Sequence, residues 1–105
     1  MEIVWTEEAE RHLTALADYY LQSAGALTAG SMMQRITDTV ACLADSPYVG
    51  QYLEGRGQAY RAVMVPPYGK VIYRVVGSKV MVVAVWDCRR DPSDSSKVLL
   101  GRWME

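Results

Sequence analysis

The chain has 105 residues, 50% of them apolar and 22% charged, with a formal net charge of −1. That length suits one domain, 1–105, built around one core, and the balance is that of a folded globule, which excludes a disordered or fibrous chain. The longest apolar stretch, residues 80–86, is too short to span a bilayer, and residues 1–5 carry no basic, cleavable leader pattern.

Thr6 followed by Glu7 and Glu8 reads as a helix N-cap with carboxylates in the first turn, where they meet free N–H groups and the positive end of the helix dipole. Leu13, Leu16, Ala17, Tyr20, Leu21 and Ala24 then recur at the three-and-four spacing of one buried face, and Gly25 supplies a stop. A second such pattern through Met32, Met33, Ile36, Val40, Leu43 and Ala44 ends before Pro47, because the residue preceding a proline disfavours the helical region. Two helices joined by a short loop predict an antiparallel hairpin.

Beyond Pro47 the period changes. Gly50, Gly55 and Gly57 punctuate a loop, after which β-branched and aromatic residues dominate. Strands are expected over 59–65 and 70–76, separated by Pro66-Pro67-Tyr68-Gly69, and over 79–86 after the two-residue turn Gly77-Ser78. The third of these is apolar on both faces and is expected to be central or covered. In the second, Val71, Tyr73 and Val75 share the face expected under the helices, which leaves Lys70, Ile72 and Arg74 on the open one. Ser93 or Asp94 is placed to cap a short amphipathic helix through Val98, Leu99, Leu100, Trp103 and Met104, too short to be stable unless it docks. The fold class is therefore α+β: an N-terminal antiparallel helical hairpin on a small antiparallel sheet of three to four strands, with a short C-terminal helix.

Cys42 and Cys88 fall in a helix and after a strand, which argues against a disulfide framework and for a reducing, cytoplasmic setting. With only His12 beside them, neither a metal nor another cofactor is expected. No phosphate loop, nucleophile elbow or dinucleotide fingerprint is present, so those enzyme classes drop out. His12 lies on the acidic first helix and is assigned no role. Tyr60, Tyr68, Tyr73, Met32, Met33 and the tryptophans read as core or partner-facing bulk.

The small net charge conceals a division: −5 over residues 1–53, +4 over 54–91 and zero beyond. The basic part supplies the candidate site, in which Arg61, Lys70, Arg74, Arg89 and Arg90 are expected to gather from three strands and the segment after the last. Arginines in a rigid frame suit bidentate binding of phosphate or carboxylate, and stabilise the charge that develops in phosphodiester cleavage. Cleavage also needs a proton donor and acceptor, and no obvious candidate stands beside Arg89 and Arg90.

Four pieces now align in order and spacing: Trp5-Thr6-Glu7-Glu8-Ala9, Ser46-Pro47-Tyr48-Val49-Gly50, Tyr68-Gly69-Lys70-Val71-Ile72-Tyr73-Arg74-Val75 and Val85-Trp86-Asp87-Cys88-Arg89-Arg90-Asp91-Pro92. Together they resemble the RelE/ParE superfamily of toxins from bacterial type II toxin–antitoxin operons. The resemblance implies a helical hairpin on a small antiparallel sheet, and a cognate antitoxin that wraps the toxin in a hetero-oligomer. It also implies one of two targets, because ParE-like members poison DNA gyrase and RelE-like members cut mRNA in the ribosomal A site. The ribonucleases carry a basic residue ahead of the apolar-aromatic run of the middle strand, matched by Lys70, and an arginine after the final strand, matched by Arg89 or Arg90. In an mRNA endonuclease of this kind Lys70, Arg74, Arg89 and Arg90 would be the catalytic residues. Those enzymes also place a tyrosine or histidine in the C-terminal segment, and residues 91–105 contain neither. The leading expectation is accordingly a gyrase poison without chemistry of its own, whose target contacts are Arg61, Lys70, Arg74, Arg89, Arg90 and Trp103.

Overall fold

A computed structural model describes residues 1–55, 58–67 and 69–87, apart from the side chains of residues 54, 55 and 58. In chain order the elements are β1 (Glu2–Trp5), α1 (Glu7–Ala24), α2 (Ala26–Cys42), β2 (Gln51–Gly55), β3 (Gln58–Val65), β4 (Gly69–Val76) and β5 (Lys79–Asp87). The strands form one five-stranded sheet in the order β1-β5-β4-β3-β2. β1 runs parallel to β5 and every other pairing is antiparallel. The sheet is thus larger than the three to four strands expected, and mixed where an antiparallel one was expected. Both additions are short: four residues in β1 and five in β2 put only two or three side chains on a face, too few for an alternation to show. The expected C-terminal helix, with Tyr68, Arg89, Arg90 and Trp103, lies outside the described residues.

The helical hairpin forms as its caps predict. The Thr6 hydroxyl accepts the Ala9 N–H at 3.2 Å and donates to the Val82 carbonyl at 2.8 Å, so one side chain starts α1 and fastens it to β5. At the other end, Gly25 adopts φ +93°, a value that L side chains rarely take, and its N–H reaches the carbonyls of Tyr20 and Leu21. That single residue closes α1 and opens α2, which therefore begins at Ala26, well before the apolar pattern at Met32.

Both helices lie on one face of the sheet. Leu16 and Tyr20 of α1 and Met32, Ile36 and Val40 of α2 pack with Val65, Val71, Val82 and Val85, and Leu43 joins Tyr73 and Val80 in an adjoining cluster. Val71 and Tyr73 are therefore under the helices, as their alternation predicts. Tyr20 also donates to the buried carboxyl of Asp87, a polar link across the same interface.

A register shift governs which side chains of β5 face the helices. Ile72 pairs with Ala84 and Tyr73 with Val82, so Val83 has no partner on β4 and the strand changes phase there. The bulge puts Val80, Val82 and Val85 on the helix side together, and leaves Ala84 and Trp86 on the other. On that other side Tyr60, Ala62, Ile72 and Ala84 make a small second cluster, flanked by Leu53, Val83 and Trp86.

Tyr73 is fully buried, and its phenolic oxygen accepts the Gly50 N–H at 2.9 Å, which ties the α2–β2 connection to β4. The approach is so close that a Cβ on Gly50 would stand 2.6 Å from that oxygen and 2.9 Å from the Ala62 carbonyl. Gly50→Ala is expected to cost about 1–3 kcal/mol through overpacking. Tyr73→Phe is expected to cost a similar about 1–3 kcal/mol by orphaning a buried N–H. Urea denaturation of both variants checks this; wild-type stability in either would show that the contact carries no strain and no net bond.

Candidate functional site

The face of the sheet turned away from the helices carries the basic residues. Lys70 stands directly across from Trp86, and Arg74 across from Met81, so both project from β4 on the side of Ile72 and Ala84. On one strand, positions four residues apart are separated by roughly 13 Å. Arg74 lays its guanidinium over the ring of Tyr60, with Cζ 5.6 Å from the ring centroid. Its Nε is buried and has no hydrogen-bond partner, and the same holds for Nε1 of Trp86. Apolar side chains surround these groups: Leu53 is half-buried, whereas Met64 and Val76 are exposed.

Arg61 does not join them. Its partner across the β3–β4 ladder is Tyr73, so it projects from the helix side. There Nη1 donates to the carbonyls of Tyr48, at 3.2 Å, and Gly50, at 3.0 Å. Its guanidinium also sits 5.2 Å from the Tyr48 ring centroid and 5.7 Å from that of Tyr52. Every part of that geometry holds the α2–β2 connection onto β3. A strand's parity gives the face of a residue only once the register is known, and the loop before β2 hid it here.

The single histidine is also structural. Nδ1 of His12 accepts the Val85 N–H at 3.3 Å, and Nε2 lies 3.8 Å from a Glu8 carboxylate oxygen. β1 pairs with β5 only as far as Val82, and His12 serves the strand edge beyond that point. No spacing in the sequence signals this, because donor and acceptor are 73 residues apart. It leaves the basic face without an imidazole.

The opposite surface has the other sign. Glu7, Glu10 and Asp18 are exposed on α1, with Arg11 engaged by Glu7 and Glu8. Between α2 and the β3–β4 turn lies a groove of about 380 Å³, lined in part by Tyr20, Leu27, Met32, Arg35 and Pro67. Leu27 is 92% exposed beside it. Among the described residues, no helix is long and apolar enough to cross a membrane.

Comparison with known proteins gives a consistent picture. The family model described as "ParE toxin of type II toxin-antitoxin system, parDE" matches residues 3–92. No curated protein sequence matches. Among solved structures, the chain is similar to a chromosomal ParDE toxin–antitoxin system from P. aeruginosa, with TM-score 0.72 and 23% identity, over 83% of this chain and 95% of that one. It is also similar to a YoeB/ParE toxin from Agrobacterium tumefaciens, with TM-score 0.59 and 19% identity, over 83% of this chain and 98% of the other. A copper-bound mutant toxin from Helicobacter pylori shares 11% identity with TM-score 0.58, over 87% and 98% of the two chains. At these identities the structures establish the fold alone.

The two arginines on opposite faces should respond differently to truncation. Arg61→Ala is expected to destabilise the fold by about 1–2 kcal/mol, since it removes two charge-assisted hydrogen bonds from a partly exposed site. Growth arrest per folded molecule should stay at the wild-type level. Denaturant titration paired with a growth assay at matched soluble protein checks this, and lost arrest at unchanged stability would return Arg61 to the target-contact set.

Proposed function

The chain belongs to the ParE toxin family of type II toxin–antitoxin systems, and from that premise we propose that it is a cytoplasmic growth inhibitor that poisons DNA gyrase. Its cognate antitoxin neutralises it in a hetero-oligomer, and the groove beside α2 with exposed Leu21 and Leu27 is the surface that such a partner covers. The target docks on the basic face, through Lys70 and Arg74, with Arg89, Arg90 and Trp103 continuing the contact from beyond β5.

One observation carries the preference for binding over chemistry. Phosphodiester cleavage needs a proton donor and acceptor within hydrogen-bond reach of the reacting oxygens. The only histidine, His12, is spent on the Val85 N–H across the sheet from Lys70 and Arg74. Among the described side chains, the one carboxylate on the basic face is Glu2, on β1, two strands from β4. Rigid cations in an apolar, aromatic setting match the composition of protein-binding hot spots.

The alternative is a ribosome-dependent mRNA endonuclease in which Lys70, Arg74 and Arg89 or Arg90 hold the phosphate. Expression without antitoxin separates the two. The gyrase reading expects growth arrest with double-strand breaks in the chromosome on pulsed-field gels, and no new mRNA ends by primer extension. Lys70→Ala combined with Arg90→Ala should abolish the arrest while the protein stays folded by circular dichroism. Cut mRNA with intact chromosomes would overturn the reading, and full toxicity in the double variant would overturn the site.

A further inference from the structure

We propose that Arg74 is the seat for a carboxylate on the surface of the protein target, with the Trp86 indole N–H as a second donor on the same face. This deepens the reading of the chain as a target-binding toxin and rests on it. Arg74 is held but not satisfied. Its Cζ lies over the Tyr60 ring, 5.6 Å from the centroid, and Tyr60 is itself buried at 6% exposure, so the guanidinium is anchored on one side. Among the described residues, Arg74 makes no hydrogen bond and no ion pair, and its Nε is buried without an acceptor.

Buried donors in folded proteins almost always have partners. Here two orphans, Arg74 Nε and Trp86 Nε1, lie on one sheet face on either side of the Ile72–Ala84 pair. What is missing is acceptor oxygen. A planar guanidinium held near an aromatic ring, with Cζ 5.6 Å from its centroid, keeps its terminal N–H groups as a fork that matches a carboxylate bidentately.

Charge decides between a carboxylate and a nucleic-acid phosphate. Proteins that track duplex DNA neutralise on the order of 6–10 phosphates. The cations on this face are Lys70, Arg74 and Lys79 among the described residues; with Arg89 and Arg90, proposed to continue the contact, they stay below that number, and the whole chain carries a net charge of −1. Exposed Met64 and Val76 on the same face add apolar contact that a protein surface uses and a phosphate backbone does not. A discrete acidic residue of a protein, flanked by apolar side chains, is the occupant that fits.

Binding of DNA-free gyrase to the immobilised full chain tests this. Arg74→Lys keeps the charge but loses the fork, and should weaken binding at least about tenfold. Trp86→Phe keeps the packing but loses the donor, and should weaken it about three- to tenfold; it also serves as the second variant if Arg74→Lys loses its fold. Lys79→Ala, which only lowers diffuse charge, should stay within about twofold. Wild-type binding with Arg74→Lys and Trp86→Phe both within about twofold of it would overturn the proposal alone. So would an equal loss by Arg74→Lys against duplex DNA without gyrase, which would assign the fork to phosphate. A wild-type chain that does not bind gyrase would overturn both this proposal and the functional reading.

Discussion

Residues 80–85 of β5 are apolar without exception, so this strand has no face that tolerates water and no edge that can be left bare. Most of the architecture answers that demand. β4 covers one edge and β1 the other, and where β1 ends at Trp5 the chain itself continues the protection. Thr6 satisfies the Val82 carbonyl with its hydroxyl and its N–H, and one turn into α1 His12 accepts the Val85 N–H. The helices cover one side through Val80, Val82 and Val85, which the bulge at Val83 brings into phase. The small cluster of Tyr60, Ala62 and Ile72 meets Ala84 on the other side.

On the open face the described charged residues are Lys70 and Arg74 of β4, Lys79 of β5 and Glu2 of β1. Lys70 and Arg74 alternate with Val71 and Tyr73, which are buried under the helices, so the same register that builds the core aims the cations outward. They stand on β4, an internal strand of the sheet, which suits preorganised binding. The acidic surface of α1 and the groove beside α2 lie on the opposite side of the sheet, which under the proposed function leaves the antitoxin and the target separate surfaces. The sign of each surface repeats the split between the acidic first half and the basic second half of the sequence.

Features set by local chemistry were legible in the sequence: the Thr6 cap, the Gly25 break, the Gly77-Ser78 hairpin and the outward pair Lys70 and Arg74. Features set by long-range pairing were not. Nothing near Glu2–Trp5 announces a strand parallel to one whose register pairs Glu2 with Lys79, because the partner supplies the reason for the strand. Gly50 reads as loop punctuation, yet it is glycine because the Tyr73 hydroxyl leaves no room for a Cβ. Arg61 has the composition of a site residue, and only the register with Tyr73 assigns it to the fastening of Tyr48 and Gly50. His12 was legible as a residue of the acidic first helix but not as the acceptor for the Val85 N–H at the strand edge.

The central claim is that a rigid basic face binds gyrase and performs no chemistry of its own. Its most direct test uses purified chain, gyrase, ATP and supercoiled plasmid, scored for the linear DNA that detergent and protease release from covalent gyrase complexes. Linear DNA should accumulate with the wild-type chain, and at least about tenfold more Arg74→Lys chain should be needed to reach the same level. Growth-arresting protein that yields no linear DNA at saturating concentration would contradict the claim.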